Sequence, residues 1–410
     1  MNVKNRTLFI ADNLDVMLGI NAECIDLIYL DPPFNSKKKY KAPIGSPAEG
    51  AAFKDIWTDE DIKNEWHGQI AEEHEELYQI IQASELIYDK SMKIYLMAMA
   101  VRLFEMRRIL KPTGSIYLHC DATASHYLKL VMDSVFKKKN YQSEVIWGYR
   151  TQGVSKSSWP KKHDTLLHYG GGPNPTFHPQ MQRIIYEKPF RHTKIDEKGK
   201  HYADVYVRDV WDDDPETKAL ISQSKERTGW PTQKPLGLLA RVIKASSNEG
   251  DIVLDPFCGC ATACVAAEQL GRQWIGIDIS PSAETITKIR LEEEVDKKAN
   301  LFNPFADVTI LTQPPFRTDR GQQISTQMQL PKAHTHKHKI YGQQEGKCVG
   351  CNYYFPFRNM TIDHIVPKSK GGTDRLENLQ LLCNACNSTK GIRSQAELIA
   401  TLKEQRVRIH

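Results

Sequence analysis

From residue 235 the chain alternates helix-like and strand-like segments. A helical stretch over 235 to 246 leads into the strand-like DIVL, then a Cys/Gly turn, an alanine-rich helix over 261 to 270, the strand-like QWIGIDI and a further helix from Ser282. Strands that alternate with helices pair in parallel, because each helix returns the chain across the face of the sheet. The first half repeats the theme with the apolar runs TLFI (7 to 10), CIDLIYL (24 to 30), SIYLHC (115 to 120) and EVIWGY (144 to 149). Between them, Leu96, Met99, Leu103, Met106 and Leu110 step by 3 and 4 and place one apolar stripe on a helix over 91 to 110, ended by KPTGS. Residues 124 to 136 read as another helix. The expectation is an α/β fold: a mostly parallel, Rossmann-like sheet with helices on both faces.

Three segments break the alternation. Residues 35 to 90 are polar and read as a loop followed by surface helices. Residues 151 to 227 mix basic, aromatic and glycine-rich stretches and read as a variable loop region. Residues 311 to 340, rich in Gln, Thr and Pro, read as a linker, which leaves 341 to 410 as a small separate domain. A length of 410 residues suits two to three domains. No run approaches the roughly 18 apolar residues of a membrane span, and the opening MNVKNRTLFIADN meets Asp12 too early for a signal peptide, so a cytoplasmic protein without membrane contact is expected. Charge is uneven. Residues 331 to 410 hold 13 Lys and Arg against 6 Asp and Glu, a net of +7, and the first 330 hold 42 against 44. The basic end suits a polyanion.

Residues suited to chemistry gather in three places. In DIVLDPFCGCATACVAAEQL a strand ends in Asp255, turns at Gly259 and enters a helix, so backbone N–H groups are presented to a ligand; Asp278, about 20 residues on, can bind the hydroxyls of a ribose. The dinucleotide GxGxxG pattern is missing, since Ala261 stands where the next glycine would be. The second place is DPPF (31 to 34), at the end of another strand and thus on the edge where open α/β sheets bind ligands. Asp31 offers a carboxylate to an exocyclic amine, Pro32 and Pro33 a rigid turn with exposed carbonyls, and Phe34 a ring for stacking. The third is the pair CVGC and CNAC: Cys348, Cys351, Cys383 and Cys386 suit a tetrahedral structural Zn²⁺.

LDPPFNS, then WPTQKP, DPFCGCAT and GIDIS, together resemble the S-adenosylmethionine-dependent DNA amino-methyltransferases over residues 1 to about 300, in the motif order of the β group, which makes 1 to 310 the expected methyltransferase domain. The resemblance implies that 151 to 227 is the target-recognition region. It implies that Asp255, Phe257, Gly259 and Thr262 line the methionine and adenosine site, that Asp278 holds the ribose, that Asp12 takes the cofactor adenine, and that Thr232 and Lys234 close over the methionine end. Asp31 and the Pro32 carbonyl would accept the hydrogens of the target amine, with Phe34 stacked on a base turned out of the duplex. Asp in the first motif position favours N6 of adenine over N4 of cytosine, which stays as the alternative. The family also favours a homodimer.

The C-terminal MTIDHIV, followed by Asn378 and CNACN, resembles the HNH nucleases and their ββα metal fold. This implies that Asp363 and Asn387 hold Mg²⁺ or Mn²⁺, that His364 activates water and that Asn378 pins the loop and orients His364. Lys368, Lys370, Arg375 and Lys390 would meet neighbouring phosphates. A zinc module that only binds DNA is the alternative. His334, His336 and His338 read as an exposed low-complexity stretch, His119, His126 and His163 as structural, Cys258 and Cys260 as packing, and Trp57, Trp147 and Trp211 as core or loop anchors.

Overall fold

A computed structural model of the chain describes all residues except 36–37, 44, 56, 150–154, 190–191, 213–214, 222, 295–307, 320–334 and 408–410. His334 and the middle of the expected linker therefore lie outside the described residues. The chain forms two compact units, Met1–Ile56 with Glu105–Gln327, and Trp57–Phe104 with Met328–His410.

In chain order the strands begin with β1 (Thr7–Ile10), β2 (Ile25–Leu30), β3 (Lys38–Lys41), β4 (Ala52–Asp55) and β5 (Leu110–Cys120). There follow β6 (Tyr141–Gly148), β7 (His163–Gly170), β8 (Met181–Tyr186), β9 (Lys194–Ile195), β10 (His201–Tyr206) and β11 (Val210–Trp211). The last are β12 (Ile252–Asp255), β13 (Gln273–Asp278), β14 (Thr309–Leu311), β15 (Met360–His364) and β16 (Leu379–Cys383). The helices begin with α1 (Asn13–Gly19), α2 (Asn64–Glu73), α3 (Glu75–Ile87), α4 (Lys90–Ile109), α5 (Ser125–Met132) and α6 (Leu236–Ser246). They continue with α7 (Thr262–Gln269), α8 (Ser282–Glu294), α9 (His336–Gln343), α10 (Asn384–Lys390) and α11 (Gln395–Val407).

The first unit is built on a nine-stranded sheet of order β11-β6-β7-β5-β2-β12-β13-β1-β14. Only β7 runs against its neighbours. The TLLHYG run lies in the segment read as variable loop, yet Leu166, Leu167 and Tyr169 are buried between β5 and β6, and that burial makes it a sheet strand. Central strands are covered on both faces and so are apolar at successive positions, as in Ile25, Leu27, Ile28, Tyr29 and Leu30 of β2. Each such side chain contributes roughly 1.5–3 kcal/mol by leaving water. The parallel pairing of β2, β12, β13 and β1 brings their C-terminal ends, and the loops carrying Asp31, Asp255, Asp278 and Asp12, to one edge.

The second unit corrects two expectations. The polar segment before residue 90 forms α2 and α3, and α2 buries Trp66, His67, Ile70 and Ala71 rather than lying on the surface. Its partner is α9, inside the stretch read as linker. The two helices touch backbone to backbone: a Cβ at Gly68 would sit 2.4 Å from His338 Cα, and one at Gly342 would sit 2.0 Å from the Asn64 carbonyl oxygen. His338 is buried, not an exposed low-complexity residue; it stacks on Phe357 and its Nε2 lies 2.7 Å from Glu72. Tyr78 of α3 packs against Tyr341 and Tyr354. Residues 57–104 thus supply the apolar bed on which the C-terminal segment folds. The antiparallel pair β15–β16 and α10 complete a ββα arrangement.

Candidate active sites

The turn after β12 is fixed from several sides. Gly259 has φ +50, and a Cβ there would meet the indole Nε1 of buried Trp230 at 2.8 Å, so only glycine fits. Ala261 also adopts the left-handed region, φ +58, at the N-cap of α7, a strain of about 1 kcal/mol for a residue with a side chain. The fully buried Arg290 offsets it by donating to the Cys260 carbonyl at 2.9 Å and to Thr262 Oγ1 at 2.6 Å. Asn13 donates to the Pro256 carbonyl at 2.8 Å and ties α1 to the loop. Asp278 accepts from the backbone N–H of Gly259 at 2.8 Å and of Ser280 at 2.7 Å. Asp12 caps α1 through Leu14 N–H, at 2.8 Å. Asp255 accepts from Phe257 N–H at 3.1 Å.

Four acidic residues gather at this edge, Asp255 buried and Asp12, Asp31 and Asp278 half-buried. Burial, then the nearby carboxylates of Asp31 and Asp278, push the Asp255 carboxyl well above the usual range; burial raises Asp278 as well. Such a site favours a cation. Burial also pushes up the thiols of Cys258 and Cys260, so both remain neutral packing groups.

Asp31 follows β2 on the same edge. Its Oδ2 accepts from the Lys234 ammonium, whereas its Oδ1 is buried and has no hydrogen-bond partner among the described residues. Lys234 also lies 5.3 Å from the centroid of the half-buried Phe34 ring, and its carbonyl accepts from Thr262 Oγ1 at 3.4 Å. One residue of TQKP thus touches both the DPPF loop and the start of α7. Its side chain grips Asp31, a contact that motif reading did not foresee. Thr232 is exposed, with φ +65. Pro32 is buried, and Asn35 N–H bonds to the buried Asp55 at 2.8 Å, which fixes the exit of the loop. Trp230, Asn13 and Arg290 escaped the motif reading because their contacts cross long stretches of chain; the WP before TQKP was the nearest cue for the first.

In the second unit the ligand atoms of Cys348, Cys351, Cys383 and Cys386 lie within 4.8 Å of one another, which fits a tetrahedral Zn²⁺. Cys383 N–H points to Cys348 Sγ at 3.3 Å and Cys386 N–H to Cys383 Sγ at 3.4 Å, donors that favour thiolates. A Cβ at Gly350 would meet Cys386 Sγ at 2.9 Å, so this knuckle also depends on glycine.

Asp363 and His364 end β15. Asp363 Oδ2 accepts from the buried Lys390 ammonium at 2.9 Å and from Gln380 at 2.8 Å. His364 Nε2 lies 2.8 Å from Asp374, whose other oxygen accepts from Lys368 at 2.8 Å. The direct partner of the imidazole is therefore Asp374, a residue the motif reading passed over. Asn378 bonds to both backbone groups of Val366, at 2.9 and 3.1 Å, and to the Thr373 carbonyl at 2.8 Å, so it pins the loop on both sides. Asn387 is half-buried on α10, which packs against β15. Lys390 faces inward to Asp363 and the His364 carbonyl rather than outward to a phosphate.

Residues 25–288 match the DNA methylase family, and residues 348–393 match the HNH endonuclease family. Among curated relatives, the type II methyltransferase M.HpaI of Haemophilus parainfluenzae is 27% identical over 71% of this chain and 75% of its own length. The DNA adenine methyltransferase YhdJ of Escherichia coli is 28% identical over 67% of this chain and 79% of its own. The solved complex of M1.HpyAVI with S-adenosylmethionine aligns with 70% of this chain and 98% of its own at 17% identity and a TM-score of 0.40. Since the methylase match spans well over half of its residues, the chain belongs to the DNA methylase family and carries an HNH endonuclease domain near its C-terminal end.

Proposed function

We propose that the protein transfers a methyl group from S-adenosylmethionine to the N6 amino group of adenine in DNA, and that its HNH domain cleaves or nicks DNA. The observation that carries the first half is Asp31: one oxygen held by Lys234, the other buried and without a hydrogen-bond partner among the described residues, on the same sheet edge as the cofactor-type turn. An adenine amino nitrogen is a poor nucleophile while its lone pair is delocalised into the ring. Asp31 Oδ1 accepts one amino hydrogen and the Pro32 carbonyl the other, which localises the lone pair, while Phe34 stacks on the extruded base. The donor supplies an electrophilic methyl on a sulfonium. The new N–C bond forms as the S–C bond breaks, and the surplus amino proton leaves by way of Asp31. The carboxylates of Asp255 and Asp278 suit the cationic donor; Asp278 takes the ribose, Asp12 the adenine, Phe257, Gly259 and Thr262 line the turn, and Thr232 with Lys234 closes it.

Residues 1–310 carry methylation in this reading, and 341–410 carry cleavage. Target readout falls to 151–227, where β8 and β10 expose Met181, Arg183, Ile185 and Tyr206. In the HNH domain, His364, steered by Asp374, activates water, and Asp363 with Asn387 would hold Mg²⁺ or Mn²⁺, which would supply charge stabilisation at the phosphate. No described helix is long and apolar enough to cross a membrane. A cytoplasmic homodimer acting on DNA is the assembly this reading favours, and sedimentation tests it. Tritium transfer to DNA with Asp31→Ala and plasmid nicking with His364→Ala test the two halves; the expected result is loss of one activity in each variant with the other retained. N4-methylcytosine among the products would favour the cytosine alternative.

A further inference from the structure

His119, at the end of β5, is completely buried, yet both of its ring nitrogens are engaged: Nδ1 lies 2.8 Å from the Tyr29 hydroxyl and Nε2 lies 3.1 Å from one oxygen of Asp164. The Tyr149 hydroxyl donates to the other Asp164 oxygen at 3.2 Å. Burial and neighbouring carboxylates push both phenols up, so they stay O–H donors. Burial alone would raise Asp164, but the hydrogen bonds from His119 and Tyr149 and the nearby Lys234 ammonium outweigh it and hold Asp164 below the usual carboxylate range. An ionised Asp164 accepts the Nε2 proton and Tyr29 donates to Nδ1, which fixes the ring about its own axis. Buried polar groups of this kind are costly unless every partner is present, so the chain of four is rigid or it is a defect.

What rests on this ring is Phe34. The two rings are stacked with centroids 6.0 Å apart and planes 22° from parallel, and Trp147 closes the His119 edge at 5.7 Å. We propose that His119, braced by Tyr29 and Asp164, is a positioning residue that sets the height and tilt of Phe34, so that a base stacked against Phe34 brings its amino group to Asp31 Oδ1. The proposal rests on the DPPF loop being the base-amino site. His119 touches neither base nor donor; it acts through Phe34. A displacement of about 1 Å at the reacting centre costs on the order of a hundredfold in rate.

The test is steady-state methyl transfer to unmethylated plasmid DNA by His119→Ala, the isosteric Asp164→Asn and Phe34→Ala, with binding of S-adenosylmethionine by calorimetry. The expected result is a kcat lowered roughly 10- to 100-fold in the first two variants, with KM for DNA and cofactor affinity within about threefold of the parent. If Asp164→Asn turns over within about twofold of the parent while Phe34→Ala is inactive, or if cofactor affinity falls as far as kcat, the positioning role is overturned. If Phe34→Ala itself retains the parent rate, the base-stacking reading of DPPF fails instead.

Discussion

The candidate methylase and nuclease sites share a device. Each has an aspartate at the end of a strand, with one carboxylate oxygen held by a buried lysine from a later segment: Asp31 with Lys234, and Asp363 with Lys390. They differ in what surrounds the pair. Beside Asp31 stand the buried Asp255 and the half-buried Asp278, both with a raised pKa, and the second Asp31 oxygen is buried and unpartnered among the described residues. Beside Asp363 stands the partly exposed pair His364–Asp374 with the exposed Lys368, in a segment of net positive charge. In the proposed reading the same ion pair serves two ends: in the first unit it holds an acceptor for a neutral amine beside a cationic donor, and in the second it holds a carboxylate near a phosphate.

The largest effect is expected from Lys390→Met. Removing one member of a buried pair leaves a charge uncompensated, at about 3–5 kcal/mol. Thermal or urea unfolding should show the second unit losing that much while methyl transfer by the first persists; an unchanged transition would mean the pair is not buried in solution. Next is Asp31→Asn, which keeps the shape but replaces one acceptor oxygen by an amide. Methyl transfer should fall on the order of 10²–10³-fold with nicking unaffected, measured as tritium incorporation and plasmid relaxation on the same preparation. Gly259→Ala comes third. The left-handed φ and the Trp230 indole together cost roughly 2 kcal/mol, about thirtyfold in cofactor affinity by calorimetry, without effect on nicking.

The smallest effect belongs to Asp255. Its folded-state pKa is raised, so the stability it contributes is present below the unfolded carboxylate value and is lost as pH rises through the folded one. Asp255→Asn should therefore gain on the parent in the melting temperature of the ligand-free protein as pH goes from 5 to 8. A constant difference across that range would show that the carboxyl is already ionised at no cost.

Much of the fold and the residues of both candidate sites could be read from local pattern. The periodic stripe forms α4, the expected helix over 235 to 246 is α6, and the two motif loops meet at one sheet edge because parallel strands bring their ends together. What escaped is long-range and polar. His119 finds Asp164 across 45 residues, on a strand lying within a segment read as loop, and His364 finds Asp374 in a glycine-flanked turn. The α2–α9 contact rests on two glycines, which carry no hydropathy, and on a histidine inside a polar run. Such contacts leave no period in the sequence, because only the tertiary fold brings the partners together.

The central claim is that Asp31 presents an adenine amine to a methyl donor in the first unit, independently of the nuclease. It is tested most directly by transferring labelled methyl from S-adenosylmethionine to DNA, digesting the product and separating the nucleosides for the parent, Asp31→Ala and His364→Ala proteins. The account predicts label in N6-methyladenine for the parent and for His364→Ala, and none for Asp31→Ala. Label in a cytosine derivative, or N6-methyladenine undiminished by Asp31→Ala, would contradict it.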